Sequence, residues 1–337
     1  MKHIICSGCS FTRQFRRLNI DGTDTNFLDD YSDFYRWPHW IQKIYKDVKV
    51  YNLGSPTNDN NIIKKSIFDK VNTLRKSGVK YKDIIVIAQW SDYFRNSFYI
   101  DEETANKYNS TLPTTNEEKE NRVKGYEEVN LFAHISDYIE DKEFVGKYGY
   151  WLLTGGYNFD HIPYDVKELI YKYVEYFQND SQSLINFFDN VISLQSFLDS
   201  RGIKHLSFNL QNNFILKKSD LFKKDNVYKS IYVDKWLPNS YTEKLSYDNP
   251  YVQNLFELIN LNDFWFYNGD DTTNGGILEW GIKNYDIDNY DFRLFMEIEK
   301  NNIKKELKRP IGHISSKMNK LFVEKELKEF LKCLSIK

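Results

Sequence analysis

The chain has 337 residues, enough to bury a large core as a single domain that carries insertions. Its 46 basic and 48 acidic residues give a net charge of −2, which argues against a nucleic-acid-binding surface. No apolar run approaches the roughly 20 residues that span a bilayer, and no signal-peptide pattern is present. Three cysteines are too few for a disulfide framework, so we expect a cytoplasmic or virion-associated protein. From the charge and the lack of a long apolar run, we expect neither a nucleic-acid nor a membrane partner.

The chain begins with strand-like runs that end at glycines. Residues 3–6 (HIIC) are apolar and lead into residues 7–12 (SGCSFT), where the predicted strand breaks at Gly8. Residues 48–53 (VKVYNL) form a second β-rich run, which ends at Gly54. A serine just past such a break is how many hydrolases hold a nucleophile above a parallel sheet.

Helices and further strands alternate after this point. An apolar stripe predicts a helix that ends at Gly78, and residues 83–88 (DIIVIA) are typical of a strand covered on both faces. A second stripe predicts a helix that ends at Gly202, before a fourth strand at 203–210. The two stripes consist of Ile63, Ile67, Val71 and Leu74, and of Leu184, Phe188, Val191, Leu194 and Leu198.

The last helix begins after Ser315, a candidate N-cap, and has one apolar face of Val323, Leu327, Phe330 and Leu331. This alternation predicts an α/β protein in which a parallel sheet lies between helices, with 1–337 forming one domain. Two aromatic-rich stretches, about 101–180 and 211–288, do not fit the alternation. We expect them to be insertions over one rim of the sheet.

Four short motifs bring chemically useful groups to the same predicted edge. Ligands of open parallel sheets bind beyond the carboxyl ends of the strands. Three motifs follow the first three strands: 8–12 (GCSFT), 52–54 (NLG) with 58–61 (NDNN), and 89–92 (QWSD). The fourth, 312–315 (GHIS), directly precedes the last helix. Together they supply a serine, backbone donors and a histidine that can accept the proton of the serine.

These motifs resemble the four blocks of the SGNH, or GDSL-like, hydrolase superfamily, in its variant with a Gly-Cys-Ser-Phe-Thr first block. The resemblance also includes 37–40 (WPHW) and covers neither insertion. It implies a three-layer α/β/α, flavodoxin-like fold and a serine esterase that needs no metal or organic cofactor. The expected substrates are small acyl esters or glycans, such as O-acetylated carbohydrates.

The resemblance also implies roles for individual residues. Ser10 would be the nucleophile and His313 the general base. The oxyanion donors would be the backbone N–H groups of Ser10 and Gly54, with Ser91 where the family has a donating asparagine. Further candidate substrate contacts are Asn60, Asn61, Trp90, Asp92 and Arg95.

The sequence departs from the family pattern at two positions. Ser91 is shorter than the asparagine it replaces, and Pro310 stands where the family has the aspartate that orients the histidine. A backbone carbonyl could orient the ring instead, or a carboxylate from the second insertion, where the candidates are Asp270, Asp271 and Glu279.

Two alternatives remain open from the sequence. The departures and the aromatic insertions also suit a catalytically impaired, SGNH-fold binding or structural protein, for example of a phage or virus particle. Separately, Cys6 and Cys9 have the spacing of a thioredoxin-like redox pair. No histidine has metal-ligand spacing, and His205 reads as a satisfied core residue.

Overall fold

The computed structural model describes residues 1–9, 11–12, 17–18, 24–25, 35–54, 58–91, 95, 97–100, 150–153, 172, 176, 180–210, 249–267, 276–277, 280, 314 and 316–334. The strands in this part are β1 (Lys2–Ser7), β2 (Arg17–Leu18), β3 (Asp24–Thr25), β4 (Val48–Asn52), β5 (Ile84–Trp90), β6 (Ser97–Ile100), β7 (Tyr150–Leu153), β8 (Lys204–Asn209) and β9 (Phe264–Trp265). The helices are α1 (Trp37–Ile44), α2 (Asn60–Lys76), α3 (Asp180–Asp199), α4 (Pro250–Glu257), α5 (Ser316–Leu321) and α6 (Lys328–Leu331). A π-helical segment, Phe322–Glu326, joins α5 to α6, and short 3₁₀ turns occupy Tyr81–Asp83, Leu261–Asp263 and Lys332–Leu334.

Five strands form one sheet in the order β4-β1-β5-β8-β9, and every neighbouring pair is parallel. If only the strands of this sheet are numbered along the chain, their spatial order is second, first, third, fourth, fifth. All seven residues of β5 are buried, as the continuous apolar run predicts for a central strand. The predicted α/β class with a parallel sheet is therefore confirmed.

Helices cover both faces of the sheet. On one face Ile5 and Val86 pack with the apolar side of α2, α3 and α4, in a cluster that includes Ile67 and Phe188. On the other face the neighbouring strand residues pack with α1 and with the segment from α5 to α6. This division follows from the alternation of side chains along each strand.

The predicted helix ends are also found. Asp59 caps α2, since its carboxylate accepts the Ile62 N–H at 2.8 Å. Gly78 and Gly202 both have positive φ, 90° and 61°, just past the ends of α2 and α3. Ser315, the predicted cap of the last helix, lies outside the described residues.

The second predicted insertion needs a correction. Both α4 and β9 lie within 211–288, yet β9 pairs with β8 and α4 packs on the core. These residues extend the sheet instead of lying over its rim. A two-residue strand and an eight-residue helix are too short to produce a readable period in sequence.

β6 lies directly before the first predicted insertion, about 101–180, and pairs antiparallel with β7, which lies within it. In the part of the chain that the structure describes, no helix is long and apolar enough to cross a bilayer.

Candidate active site

The carboxyl ends of β1, β4, β5 and β8 lie at one edge of the sheet. From β1, the chain adds β4 on one side and β5, β8 and β9 on the other. A ligand crevice is expected where the strand order reverses in this way, beyond β1 and β5. The segments that follow these strands carry the predicted Ser10, Gly54 and Ser91.

Ser10, His313 and Asp92 lie outside the described residues, as do Pro310, Asp270, Asp271 and Glu279. Their predicted roles therefore stay predictions. The neighbours of the two central residues are described: Cys9 and Phe11 flank Ser10, and Ile314 follows His313. All three are buried in the same apolar cluster, which lies on the α1 side of the sheet.

Hydrogen bonds fix the turn after β1 at both of its ends. The Asn58 Nδ2 donates to the Gly8 carbonyl at 3.1 Å, and the Thr12 N–H donates to the Cys9 carbonyl at 2.9 Å. The Asn52 Nδ2 donates to the Thr12 carbonyl at 2.8 Å. These three bonds fix the described residues on either side of this turn, Gly8 and Cys9 before it and Thr12 after it.

The Thr12 side chain is pinned as well. Its hydroxyl donates to the Gln89 Oε1 and accepts the Trp37 indole N–H at 3.2 Å. Thr12 and Gln89 are both fully buried. The end of β5 and the start of α1 thus hold the turn after β1 from two further sides.

The start of α1 also holds the segment that follows His313. The Arg36 Nη1 donates to the Ile314 carbonyl at 2.7 Å, and the Trp40 Nε1 donates to the Ser316 Oγ at 3.2 Å. The Asn319 side chain completes this contact, because it accepts the Trp37 backbone N–H at 2.9 Å and donates to the same carbonyl at 3.2 Å. Residues 36–40 therefore bind both the turn that carries Ser10 and the chain next to His313.

Arg36 is an unusual residue for this position, because its side chain is 1% exposed. Burial lowers the pKa of its guanidinium to about 10, while the nearby Cys9 acts in the opposite direction. Burying a cation is costly, and the contact with Ile314 is one of the interactions that it makes in return.

The two predicted oxyanion donors that follow β4 and β5 are held by asparagine side chains. The Gly54 N–H donates to the Asn52 Oδ1 at 3.0 Å, and the Ser91 N–H donates to the Asn60 Oδ1 at 2.8 Å. Gly54 and Ser91 are both buried. For Gly54 to stabilise an oxyanion, its N–H must be shared with, or released from, Asn52.

The described candidate substrate contacts have different surroundings. Asn60 is buried and also donates to the Ser91 carbonyl at 3.4 Å, whereas Asn61 is half-buried at the second position of α2. Trp90 is fully buried, and its ring meets the Phe187 ring edge to face. Arg95 is half-buried just beyond β5.

Asn209 is a polar residue of this edge that the sequence motifs missed. It ends β8 beside Trp90, is 1% exposed, and neither atom of its amide meets a hydrogen-bonding partner in the described part of the chain. The Trp90 Nε1 and the Ser183 Oγ, on the same side of the sheet, are also buried and have no hydrogen-bonding partner among the described residues. A polar residue at the carboxyl end of a buried strand was the signal that could have found it.

We expect Asn209→Leu to raise the free energy of unfolding by about 1 kcal/mol, because it removes a buried amide that has no partner among the described residues. The matched control is Asn58→Leu, which removes a buried amide that holds the Gly8 carbonyl and should lower stability by about 1–3 kcal/mol. Urea unfolding measures both. Equal losses in the two variants would contradict this assignment.

The cysteine pair does not have the environment of a redox site. Cys6 lies inside β1, and both Cys6 and Cys9 are buried free thiols. Burial raises the pKa of the Cys6 thiol well above its ordinary value, the reverse of what an attacking thiolate requires. The Cys9 sulfur instead accepts from the Gln89 amide at 3.5 Å.

We compared the chain with models of protein families, with curated proteins and with solved structures, and found no match in any of the three.

Proposed function

We propose that the protein is a serine ester hydrolase of the SGNH type, with a flavodoxin-like, three-layer α/β/α fold. The strand order supports the fold, because second, first, third, fourth, fifth is the order of doubly wound flavodoxin-like sheets. The position of the four motifs supports the activity, since three of them follow strands that end at a single edge.

The observation that carries the proposal is the contact between the surroundings of Ser10 and those of His313. Trp37 bonds to Thr12, two residues after Ser10, and Arg36 bonds to Ile314, the residue after His313. The two predicted catalytic residues are separated by most of the chain, yet their neighbours share one buried cluster. A nucleophile and its base need this kind of proximity.

In the proposed reaction, the Ser10 hydroxyl attacks the ester carbonyl while His313 accepts its proton. The alcohol leaves with that proton, and water then releases the acyl group from Ser10 with His313 again acting as the base. The Ser10 N–H and, when shared by Asn52, the Gly54 N–H would bind the oxyanion. One such donor commonly contributes about 3 kcal/mol to the transition state. The proposed substrates are small acyl esters, including O-acetyl groups of carbohydrates.

The test is hydrolysis of p-nitrophenyl acetate by the wild type, Ser10→Ala and His313→Ala. We expect each substitution to reduce kcat/KM by at least about 10³-fold, because each removes one half of the nucleophile–base pair. Ser200→Ala, at an exposed serine just past α3, is the control and should retain the wild-type rate. Equal rates in all four proteins, or no turnover in any, would refute the esterase.

One observation favours a second candidate, a non-catalytic binding or structural protein with the same fold. The Gly54 N–H, which an active enzyme would offer to the oxyanion, is already bonded to Asn52. A glycan array distinguishes the two candidates. Binding that survives Ser10→Ala, together with an absence of hydrolysis in the wild type, would favour the binding protein.

A further inference from the structure

Three side chains with metal-ligating atoms converge at the edge of the sheet opposite to the candidate active site. Asp199 is the last residue of α3, His205 is the second residue of β8, and Asp263 ends the 3₁₀ turn before β9. Asp263 is 58 residues from His205 in sequence, so no metal-ligand spacing was visible there. One atom from each lies within 4.8 Å of the other two.

The distances fit ligands of a single ion. The His205 Nε2 lies 2.9 Å from the Asp199 Oδ1 and 3.8 Å from the Asp263 Oδ2. With metal–ligand bonds of about 2.1 Å, neighbouring donor atoms lie roughly 3.0–3.4 Å apart. The Asp199 side chain is 56% exposed and can turn to optimise its position, whereas the imidazole is 4% exposed and fixed.

An ion pair alone accounts for only part of this arrangement. The Nε2 of an imidazole carries at most one proton and can donate it to one carboxylate, here Asp199 at 2.9 Å. Asp263 nevertheless faces the same nitrogen, held there by the Asn260 Nδ2 at 2.5 Å. A cation at the centre would instead accept a lone pair from the nitrogen and from both carboxylates.

A cavity of about 420 Å³ opens at the same place and is lined by all three residues. It gives an ion a route from solvent and leaves room for water molecules as further ligands. Lys204 also lines the cavity, but its ammonium is bonded to the Phe330 carbonyl at 2.6 Å.

We propose that Asp199, His205 and Asp263 bind a divalent transition-metal ion. One imidazole and two carboxylates suit Zn²⁺, Co²⁺ or Mn²⁺ better than the all-oxygen preference of Mg²⁺ or Ca²⁺. The ion links the end of α3, the start of β8 and the turn before β9. It therefore stabilises the outer half of the sheet, and this role is independent of the proposed esterase.

The test is titration of the metal-free protein with Zn²⁺ by calorimetry and with Co²⁺ by visible absorption. The wild type should bind one ion, and saturating Zn²⁺ should raise its Tm by several degrees. Combining Asp199→Asn with Asp263→Asn should weaken this binding by about 100-fold or more and abolish the Tm shift. Both substitutions preserve side-chain shape, and circular dichroism verifies the fold.

Asp47→Asn is the matched control, because it makes the same change at an exposed aspartate elsewhere on the surface. It should bind Zn²⁺ as the wild type does. The proposal is overturned if the wild type binds no Zn²⁺ at millimolar concentration, or if the double variant binds it as tightly as the wild type.

Discussion

Gly8→Ala should lower the free energy of unfolding by about 3 kcal/mol, a large effect for the addition of one methyl group. A Cβ at this position would lie 2.1 Å from the Thr12 Oγ1 and 2.8 Å from the Gln89 Oε1. Thr12 cannot withdraw without breaking its bonds to Gln89 and Trp37. Urea unfolding of the variant measures the loss.

Gly202→Ala is the control for this substitution. Gly202 has a φ of 61°, but no atom of the described residues lies within 4 Å of the position of its missing Cβ. Alanine there should cost only the backbone strain of about 1–2 kcal/mol. In a Thr12→Ala background the cost of Gly8→Ala should shrink, since the closest contact is then removed. Equal costs for Gly8→Ala in both backgrounds would contradict the proposed steric origin.

Arg36→Leu should reduce ester hydrolysis by about 100-fold while changing the free energy of unfolding by less than about 2 kcal/mol. The stability change is small because leucine removes the cost of burying a charge along with the hydrogen bonds of the guanidinium. The activity falls because the Ile314 carbonyl, next to His313, loses its shortest hydrogen bond. A misplaced base is expected to affect kcat more than KM.

Arg36→Lys distinguishes positioning from general destabilisation. An ammonium can still donate one hydrogen bond to the Ile314 carbonyl, so part of kcat should return. Steady-state kinetics and urea unfolding on the three proteins provide the comparison. Full activity in Arg36→Leu, or a loss of stability that accounts for the whole loss of activity, would show that Arg36 does not position the base.

The central elements were predictable from the sequence because their patterns are long or uniform. The apolar run 83–88 is typical of a strand covered on both faces, and β5 is buried throughout. The stripes of α2 and α3 repeat over 17 and 20 residues, and a glycine with positive φ, Gly78 or Gly202, follows the end of each helix within a few residues. Short stretches of sequence determine these strands and helices, so the sequence pattern alone was enough to predict them.

The edge of the sheet and the scaffold of the site were not predictable in this way. The two residues of β9 carry no period, and the π-helical segment interrupts what reads as one continuous helix. The hydrogen bond from Arg36 to Ile314 joins residues 278 positions apart, and no local sequence pattern around either residue predicts this contact. Such contacts form only in the folded protein, where residues from distant parts of the chain pack against the same sheet.

Three asparagines tie the strand ends at the candidate site: Asn52 to Gly54 and Thr12, Asn58 to Gly8, and Asn60 to Ser91. Carboxamides do not gain or lose protons in water, so these ties keep the same strength from acid to alkaline solution. Their lack of charge likewise makes them indifferent to ionic strength. The hydrogen bonds at the ends of β1, β4 and β5 should therefore persist over a wide range of pH and ionic strength.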